Sequence, residues 1–69
     1  MELKWDDGFS IATTINNGAI TISANREGLL SLARLLQSLA SEPPGAHIHL
    51  DQYNSLEDGS VELVINRTP

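Results

Sequence analysis

Two histidines and an aspartate alternate along one short segment, as His47, His49 and Asp51. On a β-strand, alternate side chains project from the same face about 6.6 Å apart, a spacing at which two imidazoles can bind one metal ion. Glu62 or Asp58 is a candidate for a further oxygen ligand. The pattern lacks the third histidine of a hydrolytic zinc site, so we predict no metal and no other cofactor. We interpret these residues as partner contacts and keep metal binding as the alternative.

The connection that follows, residues 51–58, is polar and acidic. Its composition resembles that of a calcium loop, but the alternating ligands and central glycine of an EF-hand are absent. We expect its Asn, Ser and Asp side chains to bond their own backbone, with Tyr53 and Leu56 against the edge of the core. The candidate partner contacts in this connection are Asp51, Tyr53, Asn54, Glu57 and Asp58.

Catalytic motifs are missing from the rest of the chain. No serine lies in a Gly-x-Ser-x-Gly elbow, and no glycine-rich loop is suited to hold a phosphate. A chain of 69 residues also leaves little volume for a substrate pocket of several hundred Å³. The sequence therefore predicts a binding protein rather than an enzyme.

Composition narrows the class of protein further. Nine acidic residues stand against four basic ones, for a net charge of −5, and there is no cysteine. The charge argues against nucleic acid as a partner, and the lack of cysteine excludes disulfides and thiolate metal sites. No apolar run approaches the roughly 20 residues of a membrane span, and no signal peptide is recognisable. We expect one small cytoplasmic domain over residues 1–69, with no membrane contact.

The acidic residues are unevenly placed. Five of them lie between residues 35 and 66, a stretch without lysine or arginine, and the charges of the two flanks cancel. One interpretation is solubility, which any small domain needs. The other is an acidic edge that attracts a basic partner and speeds association.

The first third of the chain alternates apolar and polar residues. A two-residue turn at Asn17-Gly18 pairs Ile15 with Ile20 and collects the apolar residues on one face. At Gly8 a three-residue turn is the better fit, because it pairs Trp5 with Phe9. These registers predict a meander of three strands, at about residues 2–5, 9–16 and 19–24.

A leucine-rich stretch follows and predicts a helix that starts after the N-cap Asn25 and ends near Ser41, before two prolines. Its apolar stripe is predicted to be Leu29, Leu32, Ala33, Leu36 and Ala40, widened by Leu30, Leu35 and Leu39. Gly28, in its first turn, either allows close approach of the helix to the sheet or leaves room for a partner.

Two further strands are predicted at residues 46–50 and 60–65, the first of them parallel to the strand before the helix. The predicted fold is α+β, in the order β-β-β-α-β-β, with one helix on one face of a five-stranded sheet that is antiparallel or mixed. The other face would be uncovered, which is either ordinary solvation or a docking surface. The alternative function is therefore a homodimeric interaction module that uses the uncovered face or extends the sheet across an edge.

Two segments resemble a known family. They read ISANREGLLSLA at residues 22–33, and HIHLDQYNSLEDGS at residues 47–60 followed by VELVI. Together they are similar to the immunity protein 32 family, small bacterial proteins predicted to neutralise toxins of polymorphic toxin systems. The resemblance implies an inhibitor that binds a cognate toxin and blocks its active site. It supplies no catalytic or metal-binding residues, and it is weakest for the opening strands.

Overall fold

The computed structural model describes all 69 residues and contains four strands and one helix in the order β-β-α-β-β. The strands are β1 (Ile11–Asn16), β2 (Ala19–Ala24), β3 (His47–Leu50) and β4 (Leu63–Asn66), and the helix is α1 (Arg26–Ala40). The strands form two separate antiparallel sheets, β1-β2 and β3-β4. The fold is small and α+β, but the predicted five-stranded sheet in the order β-β-β-α-β-β is wrong.

The first hairpin forms as its turn residues predict. Asn17 and Gly18 both have positive φ, 52° and 78°, as a type I′ turn requires. Ile15 lies opposite Ile20, and the predicted register holds along the whole of β1 and β2. This local prediction is confirmed because the turn chemistry and the alternation specify the same register.

No strand forms at residues 2–5, because another segment occupies the edge of β1 on which that strand would pair. The backbone N–H of Glu57 donates to the carbonyl of Ile11 at 2.9 Å, and that of Val61 donates to the carbonyl of Thr13 at 3.3 Å. The Thr13 side chain, which is buried, donates in turn to the Val61 carbonyl. Residues 57–61 thus replace the predicted first strand.

The N-terminal segment packs on the helix instead. The rings of Trp5 and Phe9 stack with centroids 4.9 Å apart, so their predicted proximity across the turn at Gly8 is retained without a strand. The backbone N–H of Asp6 donates to the buried hydroxyl of Ser31, at 2.8 Å. A side-chain acceptor on α1 therefore holds the turn in place.

Helix α1 begins and ends close to the predicted residues. The Asn25 Oδ1 atom accepts the N–H of Gly28 at 2.8 Å, the bond expected of an N-cap, and also that of Ser10 at 3.0 Å. The last helical residue is Ala40, and Ser41 is the C-cap. The N-cap thus joins the start of the helix to the strand region beside it.

The apolar face of α1 differs from the predicted stripe. Leu29, Leu30 and Leu36 are 55%, 40% and 42% exposed, although all three were predicted to face the sheet. With only two narrow sheets beneath it, the helix buries one side of the leucine stripe and not its full width. The shared core consists of Ile11, Leu32, Leu35, Leu39, Ile48, Leu50 and Leu56.

The second hairpin pairs only with itself. Ile48 lies opposite Ile65 and Leu50 opposite Leu63, so the inward residues of β3 are the predicted ones. β3 has no parallel neighbour, and the predicted pairing across the helix is wrong. Val61, predicted to point inward, lies before β4 and is 38% exposed. Because the two hairpins are separate, the broad uncovered face of a five-stranded sheet does not exist.

Candidate functional site

The two histidines project together from the β3-β4 hairpin. His47 and His49 alternate along β3 and are exposed, and their rings meet edge to face with centroids 5.0 Å apart. Nδ1 of His49 lies 3.1 Å from Oε2 of Glu62, and Nδ1 of His47 lies 3.2 Å from the carbonyl of Gly45. The hairpin therefore presents two imidazoles and one carboxylate side by side on an exposed surface.

The loop after β3 is held by its own polar groups. The carbonyl of Asp51 accepts the N–H groups of Asn54, Ser55 and Leu56, and its carboxylate accepts the N–H of Tyr53 at 2.9 Å. Asn54 returns a bond, since its Oδ1 accepts the Asp51 N–H at 3.0 Å. Its Nδ2 donates to the carbonyl of His49, 3.1 Å away, which ties the loop to β3. The expectation that the loop's polar side chains bond its own backbone is confirmed for Asp51 and Asn54, whereas the Ser55 hydroxyl donates to the side chain of Asn54.

One aromatic side chain stands free on this ordered loop. Leu56 is 4% exposed and packs in the core, as predicted, but Tyr53 is 88% exposed and does not pack against the core edge. The Asp51 carboxylate, which binds the N–H of Tyr53, fixes the backbone from which the ring projects. A loop whose backbone is already hydrogen-bonded suits binding, because it loses little conformational entropy when a complex forms.

Two carboxylates lie at the far end of the loop. Glu57 and Asp58 are exposed, and the four ion pairs of the structure involve other residues. Their backbone is fixed on both sides, since the N–H of Glu57 bonds the carbonyl of Ile11 and the N–H of Gly59 bonds the side chain of Gln52. The backbone that carries the two charges is thus held in place, and the carboxylates themselves are unpaired.

The structure places the predicted contact residues in three neighbouring groups. His47, His49 and Glu62 lie on the β3-β4 hairpin; Asp51, Tyr53 and Asn54 form the loop; and Glu57 and Asp58 follow at its end. The bond between Asn54 and the carbonyl of His49 joins the first two groups. The side chain of Gln52 joins the loop to the acidic end.

The side chains do not form a metal centre. No group of three or more His, Cys, Asp or Glu side chains is arranged to hold a metal ion. The carboxylate of Asp51 turns toward the N–H of Tyr53, and that of Glu62 toward His49 alone. This geometry gives the alternative of metal binding no support.

Sequence reasoning missed part of the surroundings of the site. A shallow groove of about 480 Å³ runs beside His47 and His49 and is bordered by Glu42, which follows helix α1, and by Leu3 from the distant N-terminal segment. Gln52 was missed as well, although it braces Gly59. Neither contact has a local sequence signal, since each depends on how the loops are folded together.

Comparison with protein families identifies the chain. The family model described as immunity protein 32 matches residues 19–68, which include every candidate contact residue. The chain belongs to the immunity protein 32 family. Membership indicates a toxin-neutralising role for this immunity protein, through binding of a cognate toxin, and the family is generally non-enzymatic. Neither the curated proteins nor the solved structures include a significant match.

The match leaves out β1 and the N-terminal turn, the part in which the sequence resemblance is also weakest. It spans the loop over residues 51–58 completely. The candidate site of this immunity protein thus lies entirely within its family-defining region. The structure contains no helix with the length and apolar character that crossing a membrane requires.

Proposed function

We propose that this immunity protein neutralises its toxin by covering a basic surface on it with the loop over residues 51–58 and the adjoining β3-β4 hairpin. One observation carries the proposal. Tyr53 is 88% exposed on a loop whose backbone is already bonded in place, and the unpaired carboxylates of Glu57 and Asp58 follow on the same loop. Tyrosine is among the residues that dominate the binding energy of protein interfaces, and charges around such a residue contribute to specificity and association rate.

The charge of the site favours a basic partner. The stretch between residues 35 and 66 carries five carboxylates and no lysine or arginine. Such a surface attracts a positively charged protein and speeds its association. Toxins that act on nucleic acid need clustered lysine and arginine to hold phosphates, so a nuclease-type toxin is the class that fits best.

In this proposal the loop contributes affinity and the charges contribute specificity. Tyr53 packs into an apolar recess of the toxin, and Asn54 and the histidines supply hydrogen bonds around it. Glu57 and Asp58 pair with basic side chains that would otherwise contact the phosphates of the substrate. The bound immunity protein excludes the substrate by occupying that surface, and no chemical step is involved.

The toxin can be identified by pull-down from the native host and by rescue of growth. The affinity of charge variants for that toxin then tests the role of Glu57 and Asp58. The variant Glu57→Lys with Asp58→Lys should bind more weakly and should lose much of its salt dependence. The control variant, Glu2→Lys with Asp7→Lys, changes the net charge equally at exposed residues outside the acidic stretch. Equal weakening by both variants would show that net charge alone matters and would overturn the role of the loop.

The aromatic anchor has its own test. Tyr53→Ala should weaken toxin binding by about thirtyfold or more, the loss typical of a central aromatic contact. Tyr53→Phe keeps the ring and serves as the matched control. Full affinity of the alanine variant by calorimetry would exclude Tyr53 from the interface, whether or not the charged residues contribute.

A further inference from the structure

Strand β2 has an edge that pairs with nothing in the chain. In the antiparallel register the residues nearest the turn, Asn16 and Ala19, exchange backbone bonds, and every second pair after them does the same. The N–H and C=O groups of Ile20 and Ile22 therefore point away from β1. Neither residue takes part in any backbone hydrogen bond outside the regular elements.

On the opposite edge of the same hairpin, several outward-pointing backbone groups of β1 have hydrogen-bond partners. On β1 the outward-pointing carbonyls belong to Ile11, Thr13 and Ile15, and the first two accept the backbone N–H groups of Glu57 and Val61. An equivalent cover is absent on β2, whose first five residues are all exposed. The hairpin is thus covered along most of its β1 edge and open along its β2 edge.

The open edge adjoins an apolar surface. Ile15, Ile20 and Ile22 share one face of the hairpin and are 63%, 69% and 40% exposed. Residues 10–25 contain no charged residue and no proline, the usual means by which an edge strand resists pairing. An exposed, uncharged edge of this kind is a template for another strand.

The residues of this edge are self-complementary. Ile20, Thr21 and Ile22 read the same in both directions, so two copies of β2 can pair antiparallel about a two-fold axis through Thr21. Ile20 of each copy then lies opposite Ile22 of the other, and their outward N–H and C=O groups bond to each other. All of the isoleucine side chains remain on the same face.

We propose that the β2 edge pairs with the β2 edge of another copy of the chain, so that the two β1-β2 hairpins join into one four-stranded antiparallel sheet. In this register Ala24 of one copy lies opposite Gly18 of the other, so helix α1 of each copy begins beside the turn of its partner. The six exposed isoleucines become one continuous apolar face between the two helices. This dimer uses an edge and not the face of a five-stranded sheet.

Charge also favours this geometry. Each copy carries a net charge of −5, so two copies repel each other wherever their acidic surfaces meet. The β2 edge is uncharged. It belongs to the β1-β2 sheet, whereas the proposed toxin contacts lie on the separate β3-β4 sheet and its loop. Dimerisation at the β2 edge leaves Tyr53 and the acidic residues free, so pairing between copies and toxin binding do not depend on each other.

The two-fold axis supplies a sharp test. Thr21 meets its own counterpart at the axis, as a close pair without backbone bonds, so Thr21→Lys places two like charges in contact. Thr14 lies opposite Thr21 on the same hairpin, on the same face and exposed, but away from the axis. Thr14→Lys is therefore the matched control.

Sedimentation equilibrium from micromolar to millimolar protein should show a dimer for the natural chain and for Thr14→Lys. Thr21→Lys should raise the dissociation constant by about tenfold or more. An equimolar mixture of Thr21→Lys and Thr21→Glu should recover the dimer, because the charges at the axis then attract. A natural chain that stays monomeric throughout, or equal weakening by both lysine variants, would overturn the proposal.

Amide hydrogen exchange of the natural chain tests the same edge without a substitution. The amides of Ile20 and Ile22 should gain protection as concentration rises, whereas that of Thr21, bonded within the hairpin, should be protected at every concentration. Unprotected edge amides in a dimeric sample would place the contact elsewhere. Protection that appears in a monomeric sample only on adding toxin would assign the edge to the toxin and refute pairing between copies.

Discussion

Replacing Gly28 with alanine tests how closely helix α1 is seated on the first hairpin. A Cβ atom built on Gly28 would lie 2.5 Å from the carbonyl oxygen of Ser10, 3.0 Å from a side-chain carbon of Ile11 and 3.2 Å from the Cβ of Ala24. Real Cβ atoms essentially never approach another atom within 3.0 Å, and the atom met at the first distance belongs to the backbone. Of the two roles considered for this glycine, close approach of the helix is the one supported.

The size of the effect follows from two opposing terms. Alanine is the better helix former by about 1 kcal/mol, which favours the variant. Overpacking costs about 1–3 kcal/mol, and the upper end applies because Ser10 cannot move freely. Its carbonyl accepts the N–H of Asn25 at 3.1 Å, and its N–H donates to the side chain of Asn25 at 3.0 Å. The net loss should be about 2 kcal/mol, or about 8–16 °C in Tm for a chain of this size.

Urea denaturation and thermal melting followed by circular dichroism measure this loss. Ser38→Ala is the control, because Ser38 is an exposed residue of the same helix at which alanine improves helix propensity without a clash. The control should be equally or slightly more stable than the natural chain. If Gly28→Ala also proved as stable as the natural chain, the close contact between the helix and Ser10 would be refuted.

Three other substitutions test separate contacts by the same denaturation assay. Asn25→Ala removes the N-cap acceptor, and should cost about 1–2 kcal/mol; no loss would refute its capping role. Thr13→Val keeps the shape of a buried side chain but leaves the Val61 carbonyl without its donor, and should cost about 1–2 kcal/mol; an unchanged stability would show that this bond does not hold the segment to β1. Arg34→Ala breaks a half-exposed ion pair with Asp6, and should cost less than about 1 kcal/mol; a larger loss would show that the pair anchors the N-terminal turn.

The parts of the fold that could be predicted from sequence depend on residues close together in the chain. The turn at Asn17-Gly18 and the alternation around it specify the register of β1 and β2. The N-cap at Asn25 and the prolines after Ser41 specify the ends of the helix. Each of these signals acts within a few residues, so no knowledge of the rest of the fold was needed.

The first strand of the predicted five-stranded sheet did not form because a distant segment competes with it for the edge of β1. Residues 2–5 alternate as a strand should, but the carbonyls of Ile11 and Thr13 are taken by Glu57 and Val61. The Thr13 hydroxyl adds a further bond to that segment, through the carbonyl of Val61. Nothing in a local pattern reveals which of two segments will occupy an edge.

In the candidate site, too, a local feature was predicted from the sequence and a feature that depends on the rest of the fold was not. The polar bonding of the loop around Asp51 follows from residue types that favour turns, and it was predicted. The position of Tyr53 was not, because an aromatic residue beside a core is expected to pack, whereas this residue is 88% exposed. The exposure that makes Tyr53 a candidate anchor is thus the feature that sequence reasoning got wrong.

In the segment over residues 57–61, the backbone stabilises the fold, whereas the charged side chains are available for binding. Its backbone closes the edge of β1, whereas the side chains of Glu57 and Asp58 form no ion pair. Reversing both charges should therefore change the free energy of unfolding by no more than about 0.5 kcal/mol, as is usual for exposed residues. A surface whose charges can vary without cost to the fold suits an immunity protein, because recognition of a different toxin then requires new side chains on an unchanged backbone. If the double reversal unfolded the chain, this separation would be false, and weaker toxin binding could no longer be attributed to the lost charges.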